Sequence, residues 1–378
     1  MIRSISICLL CVPLLLASAG AQTPGDALAL EQQGKWSEAA QAWKGVTARD
    51  PTDAPAFASL GLDLARQQKY DEAASAYRNA LKLNPKLAGL QLNLGLAEFK
   101  QGHFSAAATA LRAALAQNPT SLQAQTLLGM SYYGARQFDL AAKYLKPASK
   151  ADPSNAELHQ MLAQSCLWAK KLDCAREEFR ELLQHSPDSA PTHMQMGLAL
   201  DGLGKTPEAI EEFQAAAKIS PSEPNVHFGL GYLYWKSQQY DQARQEFERE
   251  LALDPNHAQA LAYLGDIEWK NDQPEKALPL LQRAIQANQN LRIAYTDSGA
   301  IYLEQKNYKG AEAALTKAMA LDPAEPDAHY QLGRLYQALG KTAEAERELH
   351  KVRELHQKAD SLAGKMNSSP PAVAPENN

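Results

Sequence analysis

Proline returns along this chain in a single phase, at Pro51, Pro85, Pro119, Pro153, Pro187, Pro221, Pro255 and Pro323, so that every interval is 34 residues or twice that. Gln289 fills the one vacancy, and the phase resumes after it without an insertion. Alanine keeps a stricter phase through Ala39, Ala73, Ala107, Ala141, Ala175, Ala209, Ala243, Ala277, Ala311 and Ala345. Twelve residues before all but the first of these stand Gly61, Gly95, Gly129, Ala163, Gly197, Gly231, Gly265, Gly299 and Gly333. Small residues at fixed places in two adjoining segments are what close packing of antiparallel helices requires, because a side chain larger than methyl at the crossing drives the axes apart. Apolar residues at helical spacing, such as Leu60 and Leu64 on the first helix and Tyr70 and Tyr77 on the second, fill the seam. Proline then ends the second helix by removing a backbone donor and biasing the residue before it away from helical angles. That residue is Asp50, Asn84, Asn118, Asp152, Asp254 or Asp322 in most copies, and Asx-Pro pairs favour turns.

At these residues the chain resembles the tetratricopeptide repeat family, whose 34-residue helix-turn-helix unit carries small residues at its eighth and twentieth positions and proline near its thirty-second. The resemblance implies an all-α fold, a right-handed superhelical solenoid of about ten units in which the first helix of each unit, helix A, lines a concave groove. In this register a partial unit at 22–53, lacking most of its helix A, precedes units at 54–87, 88–121, 122–155, 156–189, 190–223, 224–257, 258–291, 292–325 and 326–364. The last unit carries an extended helix whose stripe of Leu349, Val352, Leu355 and Leu362 suits a polar-backed cap. The tail at 365–378, rich in Ser, Pro, Ala and Asn, cannot bury enough apolar surface to offset its ordering entropy and is expected to be disordered.

Charge narrows the partners. The 378 residues carry 38 Lys and Arg against 43 Asp and Glu, a net charge of −5, without the basic excess that neutralising a phosphate backbone demands. Nucleic acid is therefore not an expected partner. Only the first segment is apolar enough to concern a membrane. Arg3 precedes an almost wholly apolar run from Ile5 to Leu16, too short to span a bilayer, and Ala17-Ser18-Ala19-Gly20-Ala21 follows it. This is the pattern of a secretory signal peptide over 1–21, cleaved after Ala19 or Ala21, with Ala21 preferred. An uncleaved anchor or an acylated N-terminus is the rival reading, but Cys8 and Cys11 follow Ile7 and Leu10 rather than a small residue, which disfavours acylation. The mature chain is thus expected to be exported, periplasmic or extracellular, with no transmembrane span.

No catalytic constellation is visible. His159, His193, His227 and His329 share the fourth position of helix A in their units, which reads as packing against the preceding unit. Metal ligation favours pairs four apart on one helix, and neither such a pair nor a metalloprotease motif is present. Gly229-Leu230-Gly231 is a lone fragment inside a predicted helix, and nucleophile elbows and phosphate loops are missing. The expectation is a protein that is not an enzyme and takes no metal or cofactor. Cys166 and Cys174 lie either side of the turn in the fifth unit, at similar heights on facing helices. They are either a local disulfide, suited to an oxidising compartment, or two small buried thiols.

Projected onto the family's groove positions, the middle units present Asn93, Leu96, Phe99, Met130, Tyr133, Met161, Gln164, Trp168, Met194, Leu198, Phe228, Tyr232, Trp235, Tyr263 and Trp269. Aromatics and methionines at such positions supply adaptable contact area at modest entropy cost. Part of the stripe must also serve contact between neighbouring A helices. Asp201, Asp266, Lys236 and Lys270 either frame polar ends of a ligand or pair with one another. Where some family members clamp a terminal carboxylate with Lys and Asn, this chain offers only Asn93, with Ala58 and Leu62 at the neighbouring places. The expected function is an exported adaptor of a bacterial cell envelope that binds a peptide segment of a partner protein. Two rivals are a scaffold of a pilus, secretion or outer-membrane machine, with self-association, and a polysaccharide-binding subunit of an export system.

The register weakens in the eighth unit, 258–291, where Pro274 replaces an aromatic near the start of its second helix. Amide hydrogen exchange should therefore show faster opening around 271–290 than in the neighbouring units, and uniform protection would refute a looser joint there.

Overall fold

The computed structural model describes residues 23–368, so the expected signal peptide over 1–21 and everything beyond Ser368 lie outside the described residues. Among the described residues the chain forms twenty α-helices and no strand. They are α1 (Pro24–Gln32), α2 (Trp36–Arg49), α3 (Ala54–Arg66), α4 (Tyr70–Leu83), α5 (Leu90–Lys100), α6 (Phe104–Gln117), α7 (Leu122–Gly134), α8 (Phe138–Ala151), α9 (Ala156–Trp168) and α10 (Leu172–His185). There follow α11 (Ala190–Gly202), α12 (Thr206–Ile219), α13 (Val226–Lys236), α14 (Tyr240–Leu253), α15 (Ala258–Lys270), α16 (Pro274–Ala287), α17 (Arg292–Glu304), α18 (Tyr308–Leu321), α19 (Pro326–Ala338) and α20 (Thr342–Ser368). They divide into two compact units, the first ending at Glu178 and the second beginning at Phe179, within α10. Each unit is an all-α solenoid of antiparallel pairs, an odd-numbered helix A followed by an even-numbered helix B.

The glycine of helix A and the alanine of helix B set the distance between the two. Ala73, Ala107, Ala141, Ala209, Ala243, Ala277 and Ala311 have no exposed surface. A Cβ placed on Gly197 would lie 3.2 Å from the carbonyl oxygen of Ala209, and one on Gly265 would lie 3.4 Å from that of Ala277. Each glycine also holds a large side chain sixteen residues on. A Cβ on Gly61 would come within 2.5 Å of the Tyr77 ring, on Gly95 within 2.5 Å of Leu111, on Gly231 within 2.7 Å of Phe247 and on Gly299 within 2.5 Å of Leu315.

The turn from A to B repeats as faithfully. Gly34, Gln68, Gly102, Arg136, Lys170, Gly204, Gln238, Asp272, Lys306 and Gly340 all have φ between 58° and 76°. The next amide reaches back five residues to a helix-A carbonyl, as Lys69 does to Leu64 at 2.9 Å and Gln239 to Tyr234 at 2.8 Å, which closes the helix end. From B to the next A, the residue at the fourth position of the unit holds the turn. Nε2 of His193, His227 and His329 donates to the carbonyls of Pro187, Pro221 and Pro323 at 2.9, 2.9 and 3.2 Å, and Gln125 Nε2 does the same to Pro119 at 2.9 Å. Nδ1 of the same histidines meets Glu212, Glu246 and Glu348 on helix B at 2.6 to 2.7 Å, and His159 meets Glu178 at 2.6 Å. His193, His227 and His329 therefore tie helix A to its own helix B and to the turn before it, while His159 reaches only helix B.

Three particulars differ from the sequence reading or refine it. The first helix A, expected to lack most of its length, retains nine residues as α1, capped by Thr23 and Asp26. Pro274 occupies the start of α16, where no amide hydrogen bond is lost, and α16 stays continuous through Pro279. Helix α20 runs to Ser368, so residues 365–368 of the expected disordered tail are helical.

One buried acid lies where α1, α2 and α3 meet. Asp63 is fully buried with neither carboxylate oxygen partnered, and Glu31 beside it accepts a 2.7 Å hydrogen bond from Trp43 Nε1. Burial, then the negative charge of Glu31, push the Asp63 carboxyl up to about 7. Because this native value lies above the unfolded one, the folded state binds the extra proton, and the stability that proton contributes falls away as pH rises towards 7 and is gone above it. Asp63→Asn should raise the unfolding temperature at about pH 8 and have little effect near pH 4, as thermal scans at the two pH values would show. An equal effect at both would mean that Asp63 does not carry the proton.

Candidate functional site

In the second unit the A-helix face opens into a cavity of about 250 Å³ lined by Met194, Leu198 and Asp201 of α11, Phe213 of α12, and Asn225, Phe228, Gly229, Tyr232 and Leu233 at and in α13. Its walls are almost wholly apolar, and Leu198 at its mouth is 53% exposed. Gly229 lies in the cavity floor with the Phe213 ring packed against it. Neighbouring A helices carry Gln195 and Tyr263 at this register position, whereas here Phe213 fills the space, and a Cβ on Gly229 would lie 2.2 Å from its ring.

Beside the cavity the aromatics form one cluster. Phe228 lies 6.5 Å from Tyr232 and 6.2 Å from Tyr263, and Tyr263 meets Trp235 at 4.8 Å and Tyr232 at 5.6 Å between ring centroids. Phe247 and His257 extend it from behind, at 6.1 and 4.8 Å from Phe228. Burial, then Tyr232 and Asp266, push the Tyr263 hydroxyl up to about 12, so it stays protonated. The start of α13 is capped by Glu250, the acid that stands in place of a repeat alanine. Buried between the helices, its carboxylate accepts the backbone amides of Asn225 at 3.3 Å and Phe228 at 3.0 Å, while Asn225 takes a left-handed φ of 65°. A carboxylate on a helix N-terminus satisfies otherwise orphaned donors and the helix dipole.

The four charged groove residues pair with one another. Lys236 Nζ reaches Asp201 at 2.7 Å, and Lys270 Nζ reaches Asp266 at 2.6 Å while lying 4.9 Å over the Trp235 ring. Trp235 Nε1 donates to the same Asp266 at 2.5 Å, which fixes the indole in the cluster. Behind it Asp297 is buried with one oxygen unpartnered, and burial together with the Asp266 charge holds its carboxyl well above the usual range.

Of the sequence-selected residues, the structure therefore gathers Met194, Leu198, Phe228, Tyr232, Trp235 and Tyr263 at one place. Trp269 packs instead against a different buried cluster, the one that contains Leu261, Leu281 and Ile301. In the first unit Tyr133 hydrogen-bonds Gln164, and Phe99 packs edge-on against Phe104 at 5.7 Å. Trp168, 65% exposed, stacks on Phe138 at 6.2 Å. Asn93, Leu96, Met130 and Met161 are half-buried on their helices. Cys166 and Cys174 are joined, Sγ to Sγ 2.02 Å with Cα atoms 5.8 Å apart, across the α9–α10 turn. Closing so short a loop stabilises the fold by roughly 2–3 kcal/mol in the chain-entropy account. Among the described residues no group of three or more His, Cys, Asp or Glu is placed to hold a metal ion, and no helix is long and apolar enough to cross a membrane. Sequence reasoning missed Phe213, Gly229 and Glu250 as builders of the cavity, although an out-of-phase glycine and an acid at an alanine position were both visible signals.

Family models described as tetratricopeptide repeat match residues 132–199 and 302–366, and a second such model matches 26–88, 58–121, 92–133 and 228–291. A further model, described as TPR repeat, matches 202–238. Together they span well over half of the sequence, and the chain belongs to the tetratricopeptide repeat family. Among solved structures it is similar to the APC/C hetero-tetramer Cut9–Hcn1, at 15% identity and a TM-score of 0.52, over 87% of this chain and 79% of that one. It is also similar to YrrB, described as a TPR protein with an unusual peptide-binding site, at 23% identity and a TM-score of 0.39, over 51% of this chain and 100% of that one. A third likeness is to MamA from Desulfovibrio magneticus RS-1, at 25% identity and a TM-score of 0.41, over 46% of this chain and 97% of that one. The Cut9–Hcn1 likeness, at its low identity, speaks to fold alone. No curated protein sequence matches the chain significantly.

Gly229→Ala should displace the Phe213 ring and lower stability by roughly 1–3 kcal/mol despite the better helix propensity of alanine, since overpacking a filled site costs about that much. Denaturant unfolding would measure it, and an unchanged midpoint would mean the ring moves aside freely.

Proposed function

We propose that this protein is an exported, non-enzymatic adaptor that binds a peptide segment of a partner protein on the A-helix face of its second unit, in cell-envelope assembly or secretion. The observation that carries the reading is the cavity between α11 and α13, an apolar recess with an exposed leucine at its mouth and an aromatic wall already locked in place. Preorganised aromatic walls bind with little loss of side-chain freedom, because their rotamers are fixed before the guest arrives. Export is supported by the leader pattern at 1–21 and by the Cys166–Cys174 bridge, a bond that persists in oxidising compartments. Sugar binding is the poorer reading, because stacking on a sugar needs open ring faces, and these rings are engaged with one another, Tyr232 near-parallel to Trp235 and Tyr263 packed against both at steep angles.

Peptides selected from an array of envelope-protein segments should bind the wild-type protein with less than about threefold loss between low and 0.5 M salt, because apolar burial is not screened. Leu198→Asp, at an exposed position that leaves the core intact, should weaken the same peptides by about tenfold or more. Binding that collapses in salt, or that ignores Leu198→Asp, would overturn the reading.

A further inference from the structure

The turn between α9 and α10 is held more firmly than the fold requires. Every A-to-B turn closes through a residue in the left-handed region and the amide that follows it, and this one alone also carries a cysteine pair, Cys166 and Cys174. Between the two cysteines stand Trp168, Lys170 and Lys171. Trp168 is 65% exposed, more than any other large apolar side chain among the described residues. One face of its indole stacks on Phe138 at 6.2 Å and an interplanar angle of 28°, which leaves the other face open. Because every helix pair runs in the same sense, Arg136 of the preceding A-to-B turn lies on the same edge, and it is exposed, as are both lysines. The acids beside these turns already have partners: Asp139 pairs with Lys171 at 3.1 Å and Asp173 with Arg176 at 3.0 Å. Lys170 and Arg136 form no ion pair among the described residues. From Lys100 to Lys171 the chain carries eight Lys and Arg against three Asp and Glu, although the whole chain has fewer bases than acids.

We propose that this turn is a membrane-contact point, seating Trp168 in the headgroup layer of an anionic phospholipid surface while Lys170, Lys171 and Arg136 face its phosphates. The site lies in the first unit and does not depend on the groove reading of the second. An indole has an apolar body and a polar edge, and it is favoured where hydrocarbon meets water. Lysine and arginine beside it gain from the negative potential of the lipid surface, a gain that fades within a Debye length. Exposure selects a lipid surface over a peptide. A peptide anchor binds by filling a recess such as the one between α11 and α13, whereas here Trp168 is itself the exposed group and needs a medium to enter. The bridge holds the backbone on either side of the anchor, so little freedom is lost when it docks. An exported chain, which the leader pattern at 1–21 implies, meets such a surface at the membrane it crosses.

The test sediments the chain beginning at Gln22, which leaves out the apolar run from Ile5 to Leu16, with vesicles of phosphatidylcholine alone and with vesicles that are half phosphatidylglycerol. The protein should bind the mixed vesicles at least about tenfold more tightly than the neutral ones at low salt, and lose most of that binding at about 0.5 M salt. Lys170→Glu with Lys171→Glu should weaken binding to the mixed vesicles by about tenfold or more. Tryptophan emission of the wild type should move to shorter wavelength on the mixed vesicles, and the shift should be absent from Trp168→Phe, which keeps an aromatic ring against Phe138. Equal affinity for the two vesicle types, which needs no variant to observe, would overturn the inference, as would the absence of binding to either. An emission shift that survives Trp168→Phe, or binding undiminished by the two glutamates, would place the contact elsewhere and overturn it as well. Saturable binding of polyglutamate with no binding of vesicles would identify the guest as an acidic chain, again against the proposal.

Discussion

How near helix B can come to helix A decides nearly everything else in both units. Where the helix-A residue is glycine, its Cα lies almost against the helix-B backbone, as the 3.2 Å between a Gly197 Cβ position and the Ala209 carbonyl oxygen shows. The large side chain four residues further along helix B, Tyr77, Leu111, Phe213, Phe247 or Leu315, then lies over that glycine rather than beside it. A methyl added there would collide with a ring or a branched chain that is itself buried, and interiors packed to crystal density have no slack to absorb it. With the approach fixed, the remaining helix-A positions are turned outward at constant angles.

Two polar devices keep successive pairs in register. At the A-to-B turn a residue in the left-handed region lets the following amide close the helix end, and in Gln68, Arg136, Lys170, Gln238, Asp272 and Lys306 this costs about 1–2 kcal/mol that glycine would not incur. At the B-to-A turn an imidazole between a helix-B carboxylate and a proline carbonyl satisfies both, so a turn that contributes no amide hydrogen at proline still has a partner for its oxygen. Glu250 is the variation that matters for function. By accepting two amides at the head of α13, including that of Phe228, it caps the helix beside the cavity.

The legibility of the candidate site follows from the same physics. Phe228, Tyr232, Trp235 and Tyr263 were readable because groove positions recur with the repeat and need only the phase. The cavity was not, because it depends on one out-of-phase residue: with glycine at 229, the Phe213 ring that already covers Gly197 packs against α13 as well and forms the floor. The pairing of Asp201 with Lys236 and of Asp266 with Lys270 and Trp235 was left open by sequence, since all of them face one side of their helices and only distance chooses the partners. The left-handed turn position escaped notice for a different reason. Glycine occupies it only at Gly34, Gly102, Gly204 and Gly340, so no single residue type marks it.

By itself the sequence determined the class of fold, the 34-residue repeat and the face of each helix that packs, because all of these recur in one phase and small or cyclic residues tolerate few alternatives. It also determined which side chains point away from that packing. Only the tertiary structure decided which of them meet. The disulfide between Cys166 and Cys174, the burial of Asp63 beside Glu31, the Glu250 cap and the recess over Gly229 each depend on the separation of two helices to within an ångström. A periodic pattern specifies direction, but contact energies fall off within a fraction of that separation, so the partners are settled only where the helices come to rest.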